Sequence, residues 1–142
     1  MTNSFRDFAK AKMILVIGSN MTEAHPVAAS LLKMAVIGGA ELIVVDPRRT
    51  PLVDLASLHV QIKVGSDVAF LNGVKNVLVT EDLYDKNYVE SCTMGFEELK
   101  QKVLEYPPER AAAISGVGAD VIRNVARRLA ANRPAMLMYT LG

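Results

Sequence analysis

Met13-Ile14-Leu15-Val16-Ile17, turning at Gly18-Ser19-Asn20, and Leu42-Ile43-Val44-Val45, stopping at Asp46-Pro47-Arg48-Arg49, decide the fold. Each is a run of four or five apolar, mostly β-branched residues bounded by turn residues. Such runs suit strands buried on both faces of a parallel sheet. Between them, about Thr22 to Ile37 reads as a helix that Gly38-Gly39 ends. Strand, helix and strand then form a right-handed βαβ crossover, which sets Gly18-Ser19-Asn20 and Asp46-Pro47-Arg48 at the carboxyl ends of neighbouring strands. Ligands of open α/β sheets bind at that edge, so the pair of loops is a nucleotide-site candidate.

Within the crossover, Thr22 can cap the helix and Pro26 sits in its first turn. Val27, Leu31, Met34 and Ala35 recur at helical spacing and are expected to face the core. Upstream, Asn3 to Lys12 is either one or two helical turns or a flexible lead-in. Downstream, Thr50 to Leu55 reads as a loop or short helix. Leu58 to Val64 alternates cleanly, which predicts a third strand with Leu58, Val60, Ile62 and Val64 on one side. Gly65-Ser66-Asp67 then turns the chain and caps a helix over about 68–79, with Phe70, Leu71, Val74 and Leu78 inward. Shorter helices follow around Lys86–Cys92, Phe96–Glu105 and from Pro108 to Gly116. Ala119 to Ala131 is amphipathic, with Arg123, Arg127 and Arg128 outward. Ala135 to Leu141 predicts a last strand, and its ending at Gly142 suggests a parent polypeptide that continues. The sum is an α/β fold: a mostly parallel sheet of about four to five strands with helices on both faces, in a single domain over 1–142.

Composition narrows the function. The 142 residues carry 16 Lys and Arg against 15 Asp and Glu, a net charge of +1, interspersed along the chain. No electrostatic footprint for nucleic acid results. No apolar run nears the ~20 residues that span a bilayer, and Met1 to Asp7 lacks the layout of a signal peptide. No membrane partner and a cytoplasmic setting are therefore expected. The single cysteine, Cys92, supports no disulfide framework and cannot alone hold an iron–sulfur cluster. His25 and His59 have no cysteine or carboxylate at metal spacing, so no metal site is expected, and no complete catalytic set can be assembled.

At the strand ends, a phosphate at Gly18-Ser19-Asn20 would meet backbone N–H groups and the positive end of the following helix. Asp46 stands where an acidic residue accepts from ribose hydroxyls. Each has a plainer reading: Gly-Ser-Asn is a common turn, Asp-Pro a common strand terminator, and the further glycines of a dinucleotide loop are absent. Arg48 and Arg49 suit a phosphate or base edge and read equally as solvated loop charges, the latter the better account of Arg49, while Asp67 reads as a helix cap.

Taken in order, Ile17-Gly18-Ser19-Asn20-Met21-Thr22-Glu23-Ala24-His25-Pro26, Val45-Asp46-Pro47-Arg48 and Lys63-Val64-Gly65-Ser66-Asp67 resemble the molybdopterin oxidoreductase family, and within it the large subunits of formate dehydrogenases. Thr2-Asn3-Ser4, Pro108-Glu109 with Ile114-Ser115-Gly116-Val117, and Tyr139-Thr140-Leu141-Gly142 fall in register with the same family. The resemblance implies a Rossmann-like domain that holds the guanosine end of a molybdopterin guanine dinucleotide carrying Mo or W. Carried over, Gly18, Ser19 and Asn20 would lie against the phosphates with Glu23 and His25 nearby. Asp46, Pro47 and Arg48 would meet the guanosine, and Lys63, Gly65, Ser66 and Asp67 would border the guanine, all three loops sharing one rim.

The family's catalytic cysteine or selenocysteine and its cluster cysteines lie outside the matched stretch. The resemblance therefore implies an inactive piece of a larger catalytic subunit. Its partners would be the remaining domains and electron-transfer subunits, the iron–sulfur cluster would be held elsewhere, and the isolated piece could self-associate. Nitrate reductase relatives, and an independent NAD-type domain, are the alternatives.

Overall fold

The computed structural model describes residues 4–139. It resolves into two compact units: residues 1–61 with 132–142, which hold the sheet, and residues 62–131, which are helical.

In the sheet unit, Ser4 caps a 3-10 helix over Phe5–Lys10 through a reciprocal bond with Asp7, and Phe8 is buried. Strand β1 (Met13–Ile17) follows, then a single helical turn α1 (Met21–Ala24), helix α2 (Pro26–Ile37) and strand β2 (Glu41–Val45). A 3-10 turn (Pro51–Leu55) leads to the short strand β3 (Leu58–Val60), and β4 (Ala135–Tyr139) completes a sheet of order β3-β2-β1-β4. Every pairing is parallel. The fold class is thus α/β, a four-stranded parallel sheet flanked by helices. All five side chains of β1 are buried, as are the last four of β2. On one face Ile14, Val16, Leu42 and Val44 join Phe8, Met21, Ala28, Ala29, Leu32, Leu52 and Val53 in a continuous core.

Three expectations need correction here. The helix from Thr22 to Ile37 is two helices, broken at His25 (φ −142°, ψ 64°), because the residue before a proline is driven out of the α region. Thr22 caps nothing; its hydroxyl donates to Asn20 Oδ1 at 2.7 Å instead. The core face of α2 is Ala28, Ala29 and Leu32, whereas Val27, Leu31 and Met34 are exposed. Small residues face the sheet because they allow the helix axis to approach it closely.

The third strand is also shorter than predicted. Its partner β2 ends at Val45, which pairs with Val60, and Pro47 follows. With no ladder left, the chain leaves the sheet, and Ile62 is buried while Val64 is 88% exposed.

The helical unit comprises α3 (Asp67–Thr80), α4 (Lys86–Cys92), α5 (Phe96–Leu104), α6 (Pro108–Ser115) and α7 (Ala119–Ala131). Helix α3 is its axis. Phe70, Val74 and Val77 are buried along it, as are Asn72, Gly73 and Asn76. A Cβ on Gly73 would stand 2.6 Å from Ala111 Cβ and 3.3 Å from Ile122 Cγ2, so α6 and α7 press directly on its backbone. Asn76 Nδ2 donates to the Val103 carbonyl of α5 at 2.9 Å, which satisfies an acceptor at the end of that helix. The expected inward residues Leu71 and Leu78 are only half-buried. Residues 1–3 and 140–142, which include most of the Thr2-Asn3-Ser4 and Tyr139–Gly142 segments and the end of the last predicted strand, lie outside the described residues.

Candidate functional site

The two central strands end together. Ile17 pairs with Val45, and Gly18 N–H donates to the Val45 carbonyl at 2.9 Å. Gly18 is left-handed (φ 56°), which lets the chain turn away from the sheet where a side chain would be strained. Ser19 is buried, and Asn20 opens α1 without a capping bond. Because α1 has only four residues, it offers little of the helix-end field expected at this loop. What remains is backbone N–H groups and the amide of Asn20. Glu23, on α1, and His25, in the break before α2, are exposed.

One strand over, Asp46 is 2% exposed. Its Oδ1 accepts from Arg48 N–H at 2.8 Å, an Asx turn that bends the loop back over the strand end. Arg48 Nε lies 3.8 Å from the same oxygen, while three-quarters of the Arg48 side chain stays in solvent. His59 in β3 and Gln61 just after it brace the loop: His59 Nε2–H donates to the Asp46 carbonyl at 3.0 Å, and Gln61 Nε2 to the Pro47 carbonyl at 2.9 Å. Arg49 pairs with Asp54 at 2.7 Å on the surface, the solvated role expected of it. Thr50 is buried, and its Oγ1 has no hydrogen-bond partner. Nothing along the chain signals that hydroxyl, since its isolation is a tertiary fact.

In the helical unit the loop before α3 is built on a shelf from α6. Lys63 N–H donates to the Ser115 carbonyl at 2.8 Å, and Ser66 closes the turn through its N–H and hydroxyl to the Lys63 carbonyl, at 3.2 and 2.6 Å. Gly65 is left-handed at φ 77°. Gly116 (φ 76°) lies under the Lys63 stem; a Cβ there would come within 3.0 Å of Lys63 Cε. In the sequence Gly116 reads as a helix end and as part of the segment Ile114-Ser115-Gly116-Val117, with no sign of this contact. Ser66, not Asp67, is the N-cap residue of α3, and no side-chain capping bond forms. Asp67 is the first helical residue, half-buried, so capping does not account for its carboxylate.

The sheet unit thus gathers Gly18, Ser19, Asn20, Asp46, Pro47 and Arg48 at one rim. Lys63, Gly65, Ser66 and Asp67 form a separate loop of the helical unit. Among the described residues no three His, Cys, Asp or Glu side chains are placed to hold a metal ion, and no helix is long and apolar enough to cross a membrane.

Known proteins carry a similar stretch. The F420-dependent formate dehydrogenase 1 subunit alpha of Methanococcus maripaludis is 39% identical over 142 residues, all of this chain and 21% of that protein. The assimilatory nitrate reductase catalytic subunit of Bacillus subtilis is 32% identical over 142 residues, 100% of this chain and 20% of the relative. The solved structure of acetylene hydratase from Pelobacter acetylenicus superposes with a TM-score of 0.87 at 40% identity, covering 94% of this chain and 18% of that one. The chain therefore spans about a fifth of the length of the relatives it matches. The sequence model of the molybdopterin oxidoreductase family matches residues 1–140, and this chain belongs to that family.

Proposed function

We propose that this chain is the domain of a molybdopterin-dependent formate dehydrogenase catalytic subunit that holds the guanosine end of a molybdopterin guanine dinucleotide. One observation carries the reading: a carboxylate, Asp46, is held almost out of solvent at the carboxyl end of β2, beside a left-handed glycine at the end of β1. A buried carboxylate with only one oxygen engaged is an acceptor that fits a ribose hydroxyl.

Asp46 would accept from the ribose hydroxyls. Arg48, largely in solvent, would meet phosphate, as would the backbone N–H groups of Ser19 and Asn20. Glu23 and His25 would line the approach. Asp67 has the chemistry for guanine, since one carboxylate accepts from N1–H and the exocyclic amine together; Lys63, Gly65 and Ser66 would set its loop. When bound, the pterin end of the cofactor supplies the Mo or W at which substrate reacts. The remaining domains and electron-transfer subunits would complete the enzyme, and formate oxidation to carbon dioxide would deliver electrons to an iron–sulfur cluster held outside this stretch.

Similarity over the whole of this chain, about a fifth of each relative, to formate dehydrogenase alpha subunits supports formate as substrate. A second reading is favoured by the 40% identity to an acetylene hydratase, a protein named for hydration: the domain then serves another molybdopterin enzyme. Formate-dependent dye reduction by the full-length polypeptide separates the two.

Calorimetric titration tests the nucleotide site. GDP should bind in preference to ADP, and Asp46→Asn should weaken GDP about tenfold or more, the scale of a hydrogen bond to a charged group. Asp67→Asn should erode the guanine preference. Preference for ADP, or a response to NADH instead, overturns the assignment.

A further inference from the structure

Helix α2 has two apolar faces. Ala28, Ala29 and Leu32 pack on the sheet, yet Val27 (77% exposed), Leu31, Met34 (67%) and Ile37 (77%) lie outward. Val27, Leu31 and Met34 stand at i, i+4 and i+7, so they form one ridge, which Ile37 extends. Ser30, beside this ridge, turns its hydroxyl onto its own helix, donating to the Pro26 carbonyl at 3.0 Å. Lys33 is the only charged residue of the 12. A helix that is apolar all round belongs in the interior of a larger body.

From this we infer that the outward ridge of α2 is the seat of polypeptide from elsewhere in the same catalytic subunit, an inference that rests on the proposed reading of the chain as one domain of that subunit. Relatives carry about four-fifths of their length outside the matched stretch, so such polypeptide exists in them. A membrane is a poor occupant. Twelve residues reach about 18 Å, short of the roughly 30 Å hydrocarbon core. An interfacial helix needs a basic polar face, and here the opposite face is Ala and Leu against the sheet.

A second copy is also a poor occupant. Four side chains expose on the order of a few hundred Å², enough to mark an interaction site but below the roughly 800 Å² per partner of a stable association. A tethered segment needs less area, because its effective concentration reaches about the millimolar range. Its matching chemistry is an apolar helix or loop, uncharged where it meets Met34.

The test places photo-reactive benzoylphenylalanine at Met34 of the full-length subunit and maps the adduct by mass spectrometry. A crosslink to the same polypeptide outside residues 1–142 is expected. A crosslink to a second copy or another protein, or none, overturns the proposal. A Val27→Lys, Met34→Lys pair gives an independent readout. In the 142-residue chain it should reduce binding of an apolar dye and leave the circular dichroism unchanged. In the full-length subunit it should lower Tm by several degrees; equal Tm in the two full-length proteins overturns the seat. GDP titration separates the failures: binding without the crosslink refutes only the seat, and the crosslink without GDP binding refutes only the nucleotide site.

Discussion

Strand β1 buries all five of its side chains, and helix α3 buries seven of its 14 residues, by opposite devices. In β1 the buried groups are Met, Ile, Leu and Val, and the backbone is satisfied by parallel neighbours on both edges. In α3 three of the seven are Asn72, Gly73 and Asn76, and its neighbours approach the helix backbone itself. A strand core of this kind is governed by volume, whereas the helix axis is governed by fit and by hydrogen-bond satisfaction. Mutations that remove volume should therefore hurt the sheet unit most, and those that change fit should hurt the helical unit.

The largest effect is expected from Leu15→Ala in β1. Leu15 is 1% exposed, and a buried Leu→Ala change costs about 2–5 kcal/mol. Leu137→Ala on the edge strand β4, where the residue is half exposed, should cost well under half as much. Urea unfolding of both variants reads the contrast, and equal midpoints would erase it. Next comes Asn76→Ala, which removes a buried hydrogen bond to the Val103 carbonyl, an acceptor that Tyr106 N–H still serves at 2.9 Å, at a cost of about 1–1.5 kcal/mol.

Gly73→Ala follows in size. Alanine gains about 1 kcal/mol of helix propensity over glycine, but its Cβ would meet Ala111 Cβ at 2.6 Å. Overpacking typically costs about 1–3 kcal/mol, so the net change should be a loss of about 1 kcal/mol. Ala111→Gly in the same chain should restore part of that loss, and no recovery would show that the approach of α6 to α3 is not what Gly73 serves.

The two units also differ in how far the sequence disclosed them. β1 and β2 were legible almost to the residue, because an apolar run between turn residues reports burial on both faces without regard to neighbours. The amphipathic α7 was legible from Ala119 to Ala131 for the same reason: its apolar stripe and its arginines are distinct. Helix α2 hides its inward face because apolar periodicity marks a face but not which of two apolar faces meets the sheet. Val64 continues the alternation of β3 yet lies outside it, because alternation cannot reveal where a partner strand ends.

At the candidate site, Gly18 and Asp46 announced themselves as strand ends. The brace from Gln61, the isolated Thr50 hydroxyl and the shelf that Gly116 provides for Lys63 did not, since each depends on residues brought together by folding. Gly116→Val tests that shelf. Its left-handed backbone and its contact with Lys63 should together cost about 1–2 kcal/mol, and more than Gly65→Val, whose position is left-handed but open.

The smallest effect concerns charge. Glu81, just beyond α3, receives both Arg127 Nε and an Arg127 terminal nitrogen from α7, at 2.9 and 2.8 Å. The guanidinium's hydrogen bonds hold the Glu81 carboxyl below its ordinary value of 4.5. Glu109 is lowered in the same way by Arg123. Between the ordinary and the lowered value the unfolded chain binds more protons than the folded one, so stability rises with pH across that window. The contribution is complete above 4.5 and is lost as pH falls through the lowered native value. Glu81→Gln should therefore flatten the acid limb of stability through a loss that is present above pH 4.5 and vanishes in stronger acid, and that is small because the pair is exposed to solvent and screened. Hydrogen exchange sharpens the contrast between the units: on acidification, amides of α3 and α7 should lose protection before those of β1, and Glu81→Gln should narrow that gap. Simultaneous loss in both units, unaffected by the substitution, would show that acid acts on the sheet as directly as on the helices.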